Sequence, residues 1–303
     1  MKKKNRGKFV LRFLFAAVCV QMLMLLVCTC GALEKILPVY VRAVSEKVSL
    51  GDDSYTEFFP IRQYMAETSV DLIVIGVDFS YEETYALLTD LIVSMKNDVN
   101  IGTICIDSYP NTMGYISTLI SAKDEENRQN ILSHLKSISP CSDAFCEFVL
   151  ELSRMKDSYP PQRQYTGGTA IGGSVEDSFM QQIIASAQVY KKRTNRPVLL
   201  ITETQNLRVN AELRSLLRNT GDITSLCIQC HYSNSEKTPA ERQPEVKLLQ
   251  QQKLHLFDEL YSDAAKRADG QYPDFRFSDI YTTEISFLMY ECTPAEQNST
   301  EEP

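Results

Sequence analysis

Three apolar runs in this chain each close on a carboxylate: DLIVIGVD at Asp78, IGTICID at Asp107 and PVLLITE at Glu203. Such side chains can move protons or supply oxygen ligands to a divalent cation, and three brought together would make a carboxylate site. Each acid also has a plainer use, as a strand-end residue capping a neighbouring helix N-terminus. An oxygen-only site lacks a general base of matched pKa, so no cofactor is expected, and a divalent cation on Asp78, Asp107 and Glu203 is the secondary reading.

The runs are short, β-rich and nearly free of polar alternation, and stretches of helical period separate them. That is the pattern of strands in a parallel sheet covered on both faces, whose ligands bind beyond the carboxyl ends of the strands. Strands are expected at 71–78, 101–107, 197–203, 223–231 and 285–290. Ser80-Tyr81-Glu82-Glu83 is a capping-box pattern, after which Tyr81, Tyr85, Leu88, Ile92 and Met95 line one face of a helix ending near Asn97. Between 111 and 156 the period is helical, with breaks near Ala122 and Pro140. Phe145, Phe148, Leu152 and Met155 share one face of the last helix there. Three helices without a strand read as an insertion that covers the strand ends.

The glycine-rich segment 167–173 reads as a flexible turn leading into a helix at 175–192. It is no P-loop, because Gly173 stands where that motif needs lysine. Further helices are expected at 207–218 and 245–267.

The N-terminus is of another kind. Lys2, Lys3, Lys4, Arg6, Lys8 and Arg12 precede an apolar run over 13–30 broken only by Gln21 and Thr29. Eighteen helical residues reach about 27 Å, close to the hydrocarbon thickness of a bilayer. Length favours an uncleaved anchor over a cleaved signal peptide, whose apolar part is shorter, and in both readings the basic flank stays inside and the rest is exported. The plan is a cytoplasmic basic segment (1–12), a transmembrane anchor (13–32) and a stalk or linker (33–59), in which 33–47 is a short helix. An exported α/β domain (60–296, helical insertion 111–156) and a disordered acidic tail (297–303) follow. The expected fold class is therefore α/β, a mostly parallel sheet with helices on both faces and a helical insertion, preceded by one N-terminal transmembrane helix.

Six of the 31 basic residues precede the anchor and all 39 acidic residues follow it, so the exported part carries a formal −14. Such a surface repels nucleic acid, which leaves the membrane, through 13–32, and an unknown ligand or protein as partners.

Nine cysteines do not form a disulfide framework. Cys19, Cys28 and Cys30 sit in the apolar run, Cys105 lies inside a buried strand, and Cys141 and Cys146 are close enough in sequence to pair. Cys227-Ile228-Gln229-Cys230-His231 matches a haem-attachment pattern, yet on a strand residues three apart point to opposite faces, so both thiols cannot reach one porphyrin edge. His134 and His255 fall in amphipathic segments outside any pocket motif. No G-x-S-x-G nucleophile elbow occurs. Asn298-Ser299-Thr300 is a glycosylation sequon in the tail.

The order and wording of these segments resemble the erythromycin esterase superfamily and its TraB and ChaN relatives. The resemblance rests on Val74-Ile75-Gly76-Val77-Asp78-Phe79 and Cys105-Ile106-Asp107, then on Tyr115 to Ile120 and Ala144 to Phe148. Tyr159-Pro160-Pro161 and the terminal Phe287 to Ala295 complete it. It implies the family's α/β fold over roughly 60–296, with a hydrolytic Glu and two His near the strand ends. At those positions this chain has Val77, Phe79 and, after Thr202-Glu203-Thr204, Gln205. Neither phenylalanine nor glutamine shuttles a proton near neutral pH. The candidate pocket is therefore Asp78, Asp107, Glu203 and Gln205. The expected function is that of an extracytoplasmic pseudoenzyme that binds a ligand or partner; the alternative is a hydrolase built on the carboxylates.

Overall fold

The computed structural model describes residues 17–23, 31–50, 58, 61–62, 65, 69–96, 98–108, 112–138, 142–171, 177–204, 223–232, 245–250, 258–269, 277, 285–290, 292 and 294–295. Eight strands within that set form one sheet: β1 (Glu46–Ser49), β2 (Leu72–Val77), β3 (Thr103–Ser108), β4 (Thr166–Ile171), β5 (Val198–Glu203), β6 (Ser225–Tyr232), β7 (Glu245–Gln250) and β8 (Ile285–Met289). They lie in the order β1-β7-β8-β6-β2-β5-β3-β4. From β8 to β4 all neighbours pair in parallel, whereas β7 is antiparallel to both β1 and β8. The molecule is thus a mixed α/β protein built on a mostly parallel sheet.

The uninterrupted apolar wording of β2 follows from its place at the centre. Successive side chains alternate between faces, and here both faces are covered, so all six residues are buried. Ile73, Ile75 and Val77 join a large core with Ile104, Ile106, Leu199, Ile201, Leu226, Ile228 and Phe287. Leu72 and Val74 point the other way, with Cys105, Val198, Leu200 and Cys227.

Helices α1 (Ala32–Val44), α2 (Glu82–Met95), α3 (Met113–Ser121), α4 (Glu125–Ile138), α5 (Asp143–Asp157), α6 (Asp177–Thr194) and α7 (Asp258–Ala268) cover the two faces. Leu88, Ile92 and Met95 of α2 and Phe145, Phe148 and Leu152 of α5 pack on the large-core face. Ile184 and Ala187 of α6 pack on the opposite one. The connection β2-α2-β3 moves one way across the sheet and β4-α6-β5 returns, and right-handed crossovers travelling in opposite directions must use opposite faces.

The three helices of the insertion break where the sequence breaks. Ser142 caps α5 by accepting from the Phe145 N–H at 3.2 Å. Buried Arg128 of α4 ties the group together: it donates to Ser153 Oγ at 2.9 Å and to the Ala122 carbonyl at 3.1 Å, and pairs with Asp157. Lys156 of α5 donates to the Ile120 carbonyl at 2.8 Å, and burial lowers its pKa.

Three expectations are corrected. Residues 245–250 form β7, although they read as the start of a helix. Residues 166–171 form the edge strand β4 and not a flexible turn. A Cβ on Gly167 would stand 2.8 Å from Ile120 Cβ and 2.9 Å from the Ser117 carbonyl oxygen, so glycine is there because α3 lies directly on the strand. The stretch read as a stalk is built into the domain: Leu37 and Val41 of α1 are buried with Leu249, Ala265, Ala268, Phe277 and Leu288, and Glu34 pairs with Arg267 at 2.6 Å.

Of the apolar run 13–30, residues 17–23 are described; they are helical, with Val18, Val20, Met22 and Leu23 exposed. No helix among the described residues is long and apolar enough to cross a membrane. The expected helix at 207–218, His255, Cys141, Asn298 and the acidic tail lie outside the described residues.

Candidate functional site

The carboxyl ends of the parallel strands are where a site is expected, and β2 is central among them. Val77, which ends β2, is fully buried in the large core. Asp78 then turns the chain. Its carboxylate Oδ1 accepts from the Ser80 N–H at 2.9 Å and from the Ser80 hydroxyl, closing an Asx-type turn. The expected capping box is therefore not formed: Ser80 serves Asp78, and α2 starts after Tyr81 with no side-chain cap. The nearest use for Asp78 is the plainer one, a local turn.

Both carbonyls of that turn are held by hydroxyls of α2 or its neighbours. Thr84 Oγ1 lies 2.6 Å from the Asp78 carbonyl oxygen and 2.8 Å from Tyr232 Oη, and the Asp78 N–H donates to Tyr232 Oη at 3.2 Å. With one proton per hydroxyl, the consistent assignment has Thr84 donating to the carbonyl and Tyr232 donating to Thr84. Tyr85 donates to the Phe79 carbonyl at 2.7 Å. The Phe79 ring stacks on Tyr85 at 6.3 Å and meets Phe145 edge-on at 5.4 Å. Tyr81 stacks on Tyr232 at 4.8 Å, and the Ala295 N–H donates to the Ser80 carbonyl at 2.6 Å. This turn is an aromatic plug fixed from three sides.

The other acids are spread along the strand ends. Glu203 pairs in register with Val77 and is half-buried. Ile106 pairs with Ile201, so Asp107 falls one register level short of Glu203; its side chain lies outside the described set, as does Gln205. Among the described residues no three His, Cys, Asp or Glu side chains are grouped to hold a metal.

The structure instead assembles a polar row that the sequence reading missed. Gly76 pairs with Gln229 on one side and with Thr202 on the other, and Gln229 pairs with Ser286. Two residues on, His231 stands next to the end of β6 on the same face, and Thr204 lies just past β5. Thr202, Thr204, Gln229, His231 and Ser286 are all buried. They lie on the face of Leu72, Val74 and Cys227, whereas Cys230 belongs to the opposite core. The signal was present in CIQCHY, where Gln229 and His231 alternate with buried residues at strand period. The C-x-x-C-H pattern over the same residues masks it.

No family model matches the chain, and no curated protein matches it. Among solved structures it is similar to that of the type III effector HopBA1, at 9% identity and a TM-score of 0.37, covering 63% of this chain and 92% of that one. A likeness at that level decides neither fold nor function.

Thiol chemistry finds no support at this end of the sheet. Cys227 and Cys230 are buried on opposite faces of the sheet, which excludes joint attachment to one haem. Burial pushes the Cys230 thiol up, and it raises Cys105 to about 11, so neither offers a thiolate near neutral pH. His134 is exposed on α4, its ring 6.2 Å from that of Tyr115.

Proposed function

We propose that this chain is a membrane-anchored, extracytoplasmic protein of erythromycin-esterase-like fold that binds a ligand or partner at the strand ends without hydrolysing it. The observation that carries the reading is the turn after β2. Where hydrolysis by the family's chemistry needs Glu and His, Val77 is core and Phe79 is wedged between Tyr85 and Phe145. Asp78 is engaged with Ser80, and a carboxylate committed to its own turn is a poor proton shuttle. What the sheet does offer a ligand is hydrogen bonding, through Thr202, Thr204, Gln229, His231 and Ser286. The anchor is supported by the 17–23 helix, whose apolar residues are exposed all round its axis, a surface suited to lipid.

A second reading is a hydrolase using the carboxylates, possible with a divalent cation on Asp78, Asp107 and Glu203. One observation favours it: His231 supplies an imidazole on the same sheet end. The full chain, purified in detergent, should leave simple esters and macrolide lactones intact with or without added Mg²⁺, Mn²⁺ or Zn²⁺. Metal-dependent turnover that disappears in Asp78→Ala, Asp107→Ala, Glu203→Ala or His231→Ala would establish the hydrolase instead. For the anchor, protease added to intact cells should leave a short membrane-bound fragment.

A further inference from the structure

Helix α1 begins one residue after the apolar run ends. Gly31, between them, is in the left-handed conformation (φ 66°), so α1 cannot continue a preceding helix along the same axis. The inner face of α1 is settled: Leu37, Pro38 and Val41 are buried against the sheet and α7, and its single acid, Glu34, pairs with Arg267.

The outer face has a different character. At 100° per residue, Arg42, Lys35, Val39, Ala43 and Ile36 fall in one arc of about 120°. All five are exposed, Val39 at 68% and Ile36 at 54%. Two branched apolar side chains presented to water beside two cations, with no acid of the helix on the arc, contrast with the formal −14 of the chain beyond its basic N-terminal segment. A solvated helix face has no use for exposed Val and Ile. A face that lies in the headgroup region has: the apolar side chains enter the acyl boundary while lysine and arginine reach phosphate.

We propose that this arc of α1 is a second membrane contact, which seats the domain directly on an anionic lipid surface and does not leave it suspended on a stalk. The proposal rests on the anchor reading, because the apolar run is what brings α1 to the bilayer. Lipid is favoured over a protein partner by that chain continuity and by the pairing of basic with aliphatic residues, which complements anionic headgroups over acyl chains.

The chain contains no tryptophan, so a single introduced one reports alone. Full-length Val39→Trp is reconstituted into vesicles of phosphatidylcholine with phosphatidylglycerol, using lipids brominated near the headgroup as quenchers, with Glu126→Trp as control. The expected result is co-flotation with the vesicles, a blue-shifted Val39→Trp emission and strong quenching, with the control emission unquenched. Adding Lys35→Glu and Arg42→Glu, or omitting phosphatidylglycerol, should abolish most of that quenching. Co-flotation with Val39→Trp no more quenched than the control overturns the proposal while leaving the anchor intact. Failure to co-float overturns both. Quenching that ignores charge reversal and lipid composition overturns the anionic surface.

Discussion

Tyr232 joins the end of β6 to the turn after β2, and its hydroxyl is the residue on which that turn depends. It accepts from Asp78, exchanges a hydrogen bond with Thr84 and carries a ring stacked on Tyr81. Tyr232→Phe keeps the stack and deletes the hydroxyl, leaving the Asp78 N–H without its acceptor, at a cost of about 1–3 kcal/mol in denaturant unfolding. Burial, with Cys230 adding, holds this phenol well above its ordinary range. Tyr159 is raised to about 12 by burial, and Tyr165 is raised further. Each phenol is neutral when protonated. The unfolded chain gives up these protons from pH about 10, and the folded chain keeps them to higher pH. Stability contributed by the three is therefore complete below about 10 and falls as pH rises, through about 12 for Tyr159 and to higher pH for the other two. Tyrosinate absorbance should show these phenols ionising together with alkaline unfolding. Early ionisation in the folded protein, ahead of any loss of helical circular dichroism, would contradict their burial.

At the scale of elements, the packing of α3 on β4 makes the sharpest forecast. Gly167→Ala puts a methyl 2.8 Å from Ile120 Cβ and 2.9 Å from a backbone carbonyl, which no rotamer relieves. A loss of about 1–3 kcal/mol is expected; an unchanged unfolding midpoint would mean that α3 does not lie there. The same contact explains what was illegible in the sequence, since two glycines in a row look like a turn until the helix above them is known. Residues 245–250 were lost for another reason: Val246, Leu248 and Leu249 fit helical and strand periods equally over so short a span. By contrast, β2 is legible because it is covered on both faces and has no polar position to confuse the pattern, and β3, β5 and β6 are legible by their short apolar stretches. The breaks near Ala122 and Pro140 likewise located α3, α4 and α5. Of the site, the acids at the strand ends were legible as positions, but their engagement was not, because Asp78 satisfies itself locally through Ser80. The polar row was invisible as a unit, since register between β6, β2, β5 and β8 is a tertiary fact.

For the whole molecule, the central claim is that this sheet end binds and does not turn over. One measurement addresses both halves: thermal unfolding of the full-length protein in nanodiscs against a panel of macrolides, esters and peptides, followed by mass spectrometry of every compound that raises the midpoint. The account predicts at least one stabilising compound, recovered at its original mass after prolonged incubation, with the stabilisation lost in Gln229→Ala or Thr202→Ala. A stabilising compound recovered with one water added to its mass, through a reaction that His231→Ala abolishes, would contradict it.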